Sequence, residues 1–244
     1  MIAPLSTFLT LCLKLQRRRV SDDETYRRLE RACRLWPLPT KRQAAIDAVR
    51  EQYASDETAF TMQDYGAGSK TSNGQQRVVA EVYKTAASRH GWALFLHGLV
   101  QAFGCRHVLE LGTNLGIGAL YLEEALPAEG TLTTLEGDPT LAKRAKRVLG
   151  KPSEVIVGAF DAELPAVVAS RTYDWVFIDG HHEAGAALRY FEMLRPSLVP
   201  GALVVFDDIE PWARTVRPAW TTLCSTVSHR AAVDFVKFGV LITD

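Results

Sequence analysis

Acidic residues at the ends of apolar runs are the first feature of this sequence that could do chemistry. Val108 to Gly118 reads VLELGTNLGIG, in which an apolar run leads into Glu110, Gly112, Gly116 and Gly118. Gly112 permits a sharp turn and Gly116 is read as letting a ligand approach the backbone, with helix N-terminal amides facing the crevice. A carboxylate inside this loop repels a pyrophosphate and attracts the ammonium of an amino-acid moiety. The next apolar run ends in Thr134-Leu135-Glu136-Gly137-Asp138, and Glu136 lies 24 residues after Gly112. That is near the spacing of about 20 expected of an acid that binds ribose hydroxyls, and a carboxylate accepts from both hydroxyls at once. A third run ends in Gly158-Ala159-Phe160-Asp161. Phe160 is suited to stacking on a base and Asp161 to accepting from an exocyclic amine. Thr113, Asn114, Gly137 and Gly158, which flank these acids, are counted in the same ligand site.

Two further runs end in Phe177-Ile178-Asp179-Gly180-His181-His182 and Val205-Phe206-Asp207-Asp208. Neighbouring strand ends would bring Asp179, Asp207 and Asp208 together, and three carboxylates repel unless a cation or protons intervene. Hard oxygen ligands at this density suit Mg²⁺ or another divalent cation. The competing reading has Asp179 touching the ligand while Asp207 or Asp208 caps a following helix. Trp212, Trp220 and Pro211 are candidates for an acceptor pocket, or for core packing.

The elements that must position these residues follow from hydrophobic periodicity. Strand-length runs at His107–Leu111, Leu132–Leu135, Glu154–Val157, Trp175–Ile178 and Leu203–Phe206 alternate with helical patterns over 115–126, 139–149, 162–169 and 183–194. Such alternation predicts a parallel sheet covered on both faces. Ala232–Phe235 and Phe238–Thr243 predict two more strands joined tightly. The fold class is therefore α/β: a Rossmann-like parallel sheet with a C-terminal antiparallel strand, preceded by an α-helical N-terminal segment. In that segment Ser21 to Glu24 and Thr40 to Gln43 both read as capping boxes, and residues 2–13 read as an amphipathic helix. Pro37 and Pro39 follow the first of these helices, and helical patterns return over 77–88 and 92–103. The polar, glycine-containing stretch from Asp64 to Gln76 reads as a loop, which divides a segment 1–75 from a main domain 76–244.

Composition narrows the function. The 244 residues include 28 Lys plus Arg and 28 Asp plus Glu, so the net charge is zero. Without a strong positive field a nucleic-acid partner is not expected, and a small-molecule substrate is. No run is long enough for a transmembrane helix. Cys12, Cys33, Cys105 and Cys224 form no CxxC pair and read as reduced thiols of a cytoplasmic protein. The N-terminal helices are candidates for a lid, a substrate wall or a homodimer surface.

The segments ELGTNLGIG, LEGD, GAFD, FIDGHH and VVFDDI, in this order over about 76–244, resemble class I S-adenosylmethionine-dependent methyltransferases, and most of all the catechol-type and related small-molecule O-methyltransferases. DYGAGS, just upstream, is similar to a segment of uncharacterised bacterial members. The resemblance implies S-adenosyl-L-methionine as cofactor, with Glu110 and Gly112 at its methionine end, Glu136 on the ribose and Asp161 on the adenine amine. In the catechol-type enzymes the positions of the acidic cluster bind Mg²⁺ through two Asp and one Asn; here Asp208 stands for the Asn. The offset of His182 from Asp179 carries the lysine general base there, so His182 is the candidate base. Three other readings remain: a cofactor-binding or partner protein without transfer, a metal-assisted hydroxylase or hydrolase, and a short-chain NAD(P) dehydrogenase. The last also has a glycine loop of this spacing. It needs a Tyr-x-x-x-Lys pair, and none of the seven tyrosines has Lys four positions later.

Overall fold

A computed structural model describes residue 20 and residues 22–34, 37–63, 75–212 and 215–244. The chain begins with α1 (Asp23–Cys33) and α2 (Thr40–Ala54), passes through a short hairpin of β1 (Ala59–Thr61) and β2 (Gln76–Val78), and continues as α3 (Val79–Ala86) and α4 (His90–Phe103). Strand–helix alternation follows: β3 (His107–Leu111), α5 (Ile117–Ala125), β4 (Thr131–Glu136), α6 (Pro139–Val148), β5 (Ser153–Val157), α7 (Phe160–Ser170), β6 (Tyr173–Ile178), α8 (Ala184–Leu194) and β7 (Leu198–Phe206). The described chain closes with α9 (Arg217–Thr226), β8 (His229–Asp234) and β9 (Gly239–Thr243).

The large sheet has the order β5-β4-β3-β6-β7-β9-β8. Its first five strands are parallel, and β9 runs antiparallel to both β7 and β8. The apolar runs become strands because both of their faces are buried. Val108, Leu132, Trp175, Phe177 and Val205 meet Leu29, Ile46, Leu94, Phe95 and Leu122 on one face. Leu109, Leu111, Leu135, Val176, Ile178 and Phe206 meet Leu164, Phe191, Trp220 and Leu223 on the other. The apolar residues of α1 and α2 thus share their core with the sheet. Arg144 adds an ion pair to Asp56 at 2.6 Å, and Tyr53 Oη donates to the Arg144 carbonyl at 3.2 Å.

The chain steps outward from β3 to β5 and then returns to β6 on the other side of β3. Ligands of open α/β sheets bind where the strand order reverses in this way. The switch point has a steric requirement. Gly112 has φ of 111°, and a Cβ there would lie 2.1 Å from the Asp179 carbonyl oxygen.

Several local expectations change. Asp22 caps α1, accepting from Thr25 N at 2.8 Å, rather than Ser21. No side chain caps α2, which follows Pro39 with Thr40 already inside it; Gln43 donates instead to Asp47 at 2.9 Å. Gln76–Val78, read as the end of a loop and the start of a helix, pairs with β1 as a strand. Helix α9, not anticipated, starts at Arg217-Pro218 with proline in its first turn, where the missing N–H costs nothing. Its cap position is Val216, so neither Asp207 nor Asp208 caps a helix there. The expected helix over 2–13, Leu35-Trp36 and the Asp64–Ser69 segment lie outside the described residues.

The switch-point crossing yields a stability test. Gly104 is also left-handed, with φ of 69°, but a Cβ there would meet nothing within 4 Å. Gly104→Ala is expected to cost about 1–2 kcal/mol from backbone conformation alone. Gly112→Ala adds a collision with backbone and is expected to cost clearly more in denaturant titration. Equal losses for the two variants would contradict this packing.

Candidate active site

The carboxyl ends of β3 to β7 open into one cleft of about 940 Å³. Gly112, Asn114, Glu136, Gly137, Gly158, Phe160, Asp161, Asp179, His181, His182, Asp207 and Asp208 line it, and so do Met62, Gln63, Ser88, Arg89 and Trp92 from the N-terminal side. Arg50 of α2 donates to the Ser88 carbonyl at 2.8 Å and ties that wall to the helices behind it.

Glu110 and Glu136 differ sharply in setting. Period-2 alternation turns Glu110 away from its neighbours Leu109 and Leu111, and its carboxyl is buried. Thr134 Oγ1 donates to its Oε2 at 2.6 Å, and Thr113 Oγ1 lies 2.5 Å from the same Thr134 hydroxyl. Burial pushes the Glu110 carboxyl up to about 8; the Thr134 hydrogen bond opposes the shift and the Glu136 charge adds to it. Beside the cleft, Glu110 shares a small recess with Gly112, Ser88 and Asp179. Glu136 is only partly buried and is held by backbone amides: Asn114 N donates to Oε2 at 2.6 Å and Asp138 N to Oε1 at 2.8 Å. Amides on both oxygens fix the orientation of this carboxylate. Asn114 takes a left-handed φ of 52° to present that amide, and its own Oδ1 accepts from Leu115 N at 2.7 Å.

Gly116 is absent from the cleft lining. A Cβ on it would lie 3.1 Å from Ala145, so its smallness serves the packing of α6. Phe160 lies at the start of α7 with its ring edge-on to Tyr190 at 5.6 Å and against Gly180. Asp161 is gripped by Arg189 through Nε at 2.9 Å and Nη2 at 3.0 Å, and this pairing holds its carboxyl below the usual range. The Tyr190 hydroxyl connects Asp161, 3.4 Å away, with His181 Nδ1 at 2.9 Å.

At the acceptor end two of the three expected carboxylates, Asp179 and Asp207, meet directly, and the cation found between the acids is one the sequence reading did not name. Asp179 and Asp207 come together from the ends of adjacent parallel strands. Burial raises the Asp179 carboxyl well above its ordinary range, and the Asp207 charge raises it further. The neutralising group, absent from the sequence reading, is Lys237, whose Nζ lies 2.6 Å from Asp207 Oδ1 and 2.9 Å from Asp208 Oδ1. Burial would depress the Lys237 ammonium, but Asp207 and Asp208 together raise it. Burial would likewise lift Asp208, yet Lys237 and His182 hold its carboxyl low. Asp179, Asp207 and Asp208 therefore do not fit a divalent ion, because an ammonium already bridges two of the three. Among the described residues no group of three or more His, Cys, Asp or Glu is arranged to hold a metal.

His182 Nδ1 lies 3.3 Å from Asp208 Oδ2, and its Nε2 faces Asp179 Oδ1 at 3.9 Å. This is the arrangement of a base oriented by a carboxylate. Trp212 lines the cleft with 75% of its surface exposed. Trp220 does not: it is buried against Phe206 and Gly239.

Comparison with known proteins gives the following likenesses. Residues 109–209 match the family model described as a methyltransferase domain. A catechol O-methyltransferase from Niastella koreensis is 33% identical over 122 residues, 47% of this chain and 54% of that protein. The chain spans about half the length of the curated relatives it matches. The O-methyltransferase TomG from Streptomyces achromogenes, solved with SAM, superposes with a TM-score of 0.54 at 25% identity, covering 65% of this chain and 82% of that one. An O-methyltransferase from Bacillus cereus, solved with SAH, gives a TM-score of 0.58 at 17% identity over 85% of this chain and 92% of the other; at that identity the likeness is one of fold. Among the described residues no helix is long and apolar enough to cross a membrane.

The Glu110 setting fixes a pH dependence. A carboxyl lifted from 4.5 to about 8 by burial stays protonated in the folded chain while the unfolded chain ionises. Its contribution to stability is complete below pH 4.5 and is lost as pH rises to about 8. The loss across that window is on the order of 3–5 kcal/mol. Glu110→Gln is expected to flatten the fall in unfolding free energy between pH 5 and 8 in urea titrations. A variant slope as steep as wild type would show that Glu110 is not the group responsible.

Proposed function

We propose that this chain, whose residues 109–209 carry a methyltransferase domain on a class I S-adenosylmethionine-dependent fold, methylates a hydroxyl of a small acceptor. The observation that carries the reading is the buried Glu110 carboxyl, lifted to about 8 under a glycine bend, with Glu136 fixed at the next strand end. A cationic group that enters beside Glu110 recovers the electrostatic energy that burial withholds. In this reading Glu110 and the nearby Asp179 hold the methionine ammonium, and Glu136 accepts from the two ribose hydroxyls. Phe160 flanks the base while Asp161, kept charged by Arg189, accepts from its amine. A pyrophosphate has no positive charge to offer Glu110 and would be repelled by the charged Asp161.

Bound S-adenosylmethionine supplies an electrophilic methyl whose C–S electron pair leaves with sulfur as the acceptor oxygen bonds to carbon. The remaining work belongs to the chain. Asp208 holds the Nδ1 side of His182, which leaves Nε2 to take the acceptor proton. Trp212, Trp92 and Phe238 supply the apolar wall that suits a ring-bearing acceptor. Residues from the N-terminal segment close the opposite side, so catalysis rests on alignment within a shielded cleft.

The test measures SAH release with catechol as probe acceptor, beside calorimetric titration with SAH. Wild type is expected to bind SAH and turn over. His182→Ala is expected to bind SAH as well as wild type and to lose turnover by about 100-fold. A wild type that does not bind SAH overturns the reading, and unchanged turnover in the variant removes His182 from the mechanism.

A further inference from the structure

The disagreement between the acidic cluster and a divalent ion carries further. We propose that Lys237 is the built-in cation of the acceptor end: its ammonium takes the place of a divalent ion, screening Asp207 and Asp208 and offering its remaining N–H to the acceptor oxygen. This rests on the methyltransferase reading for what is transferred, and on separate observations for the cation.

The first is geometric. An ammonium has three donors, and two are committed to Asp207 Oδ1 at 2.6 Å and Asp208 Oδ1 at 2.9 Å. The third remains on the cleft side: Lys237 lines the cleft between Val236 and Phe238, with the Phe238 ring 5.4 Å from its ammonium, and shares Asp208 with His182. The second is the turn that delivers it. Val236 has a φ of 74°, a region that β-branched residues occupy only under strain. The surrounding bonds enforce it: Val236 N donates to Asp234 Oδ1 at 2.8 Å, and Arg217 clamps Asp234 Oδ2 at 2.6 Å. Ile209 N donates to the Lys237 carbonyl at 3.1 Å, which fixes the lysine backbone to the segment just after Asp208. The third is charge. Asp207 is buried, and its two neighbouring carboxylates need a positive charge that does not depend on ion supply. When His182 takes the acceptor proton, the negative charge left on oxygen lies against the same ammonium, which favours the ionised acceptor.

A lysine and a bound metal cannot share this position, so the two assignments separate cleanly. Mn²⁺ binding is followed by electron paramagnetic resonance in wild type, Lys237→Ala, Lys237→Gln and Lys237→Arg. Wild type and Lys237→Arg are expected to bind no Mn²⁺, and wild-type turnover is expected to persist in EDTA. Lys237→Ala and Lys237→Gln expose the carboxylates and are expected to gain Mn²⁺ binding, while losing about 100-fold in turnover and keeping their affinity for SAH. Two uncharged variants guard against the misfolding of one. Wild type that binds Mn²⁺ and loses its turnover in EDTA overturns the proposal, as do uncharged variants whose Mn²⁺ binding and turnover match wild type. Failure of wild type to bind SAH overturns the methyltransferase reading instead, and the Mn²⁺ measurements still decide the role of Lys237.

Discussion

A carboxyl group sealed into the wall of a cleft, with no cation among the described groups that act on it, is the constraint around which this molecule is arranged. Ionising Glu110 in that setting is unfavourable, so the resting protein keeps it protonated near neutrality. The cost is tolerable because Thr134 satisfies one oxygen and because the group sits where a ligand can supply the missing charge. Asp179, raised by burial and by Asp207, repeats the pattern a few residues away on the neighbouring strand. Together they make a region in which negative charge is unfavourable without a cation, while two amides orient Glu136 at the next strand end.

The sheet makes this possible by its order. Reversal at β3 and β6 brings two strand ends side by side with no helix between them, and the backbones approach so closely that Gly112 can carry no side chain. Parallel register then lays Glu110, Glu136, Asp179 and Asp207 along one rim. The antiparallel end contributes differently. The turn between β8 and β9 returns over the rim and delivers Lys237, so the acidic residues on that side of the cleft already have a cation between them.

Much of this was legible in the sequence because it follows from burial. Strands covered on both faces leave long apolar runs, and their ends leave acids and glycines, so β3 to β7 and the strand-tip carboxylates were readable. Lys237 was not, since a lone lysine in a tight connection carries no periodic signal and its partners lie 29 and 30 positions away. The contribution of Met62, Ser88 and Trp92 to the cleft was hidden for a similar reason: it depends on how α2 and α4 pack on the sheet, through contacts such as that of Arg50 with Ser88. The packing role of Gly116 was not legible because glycines needed for helix packing and for ligand approach look alike in one dimension. Trp220 stayed open between pocket and core because an aromatic after a strand end serves either, and here it serves the core.

If the ligand ammonium ionises Glu110, binding must release the proton that this carboxyl holds. Calorimetric titration with S-adenosylmethionine at pH 7, in buffers of different ionisation enthalpy, counts that proton. The account predicts release of close to one proton in wild type and almost none in Glu110→Gln, which should also bind more weakly. Tight binding to wild type with no proton released would contradict it.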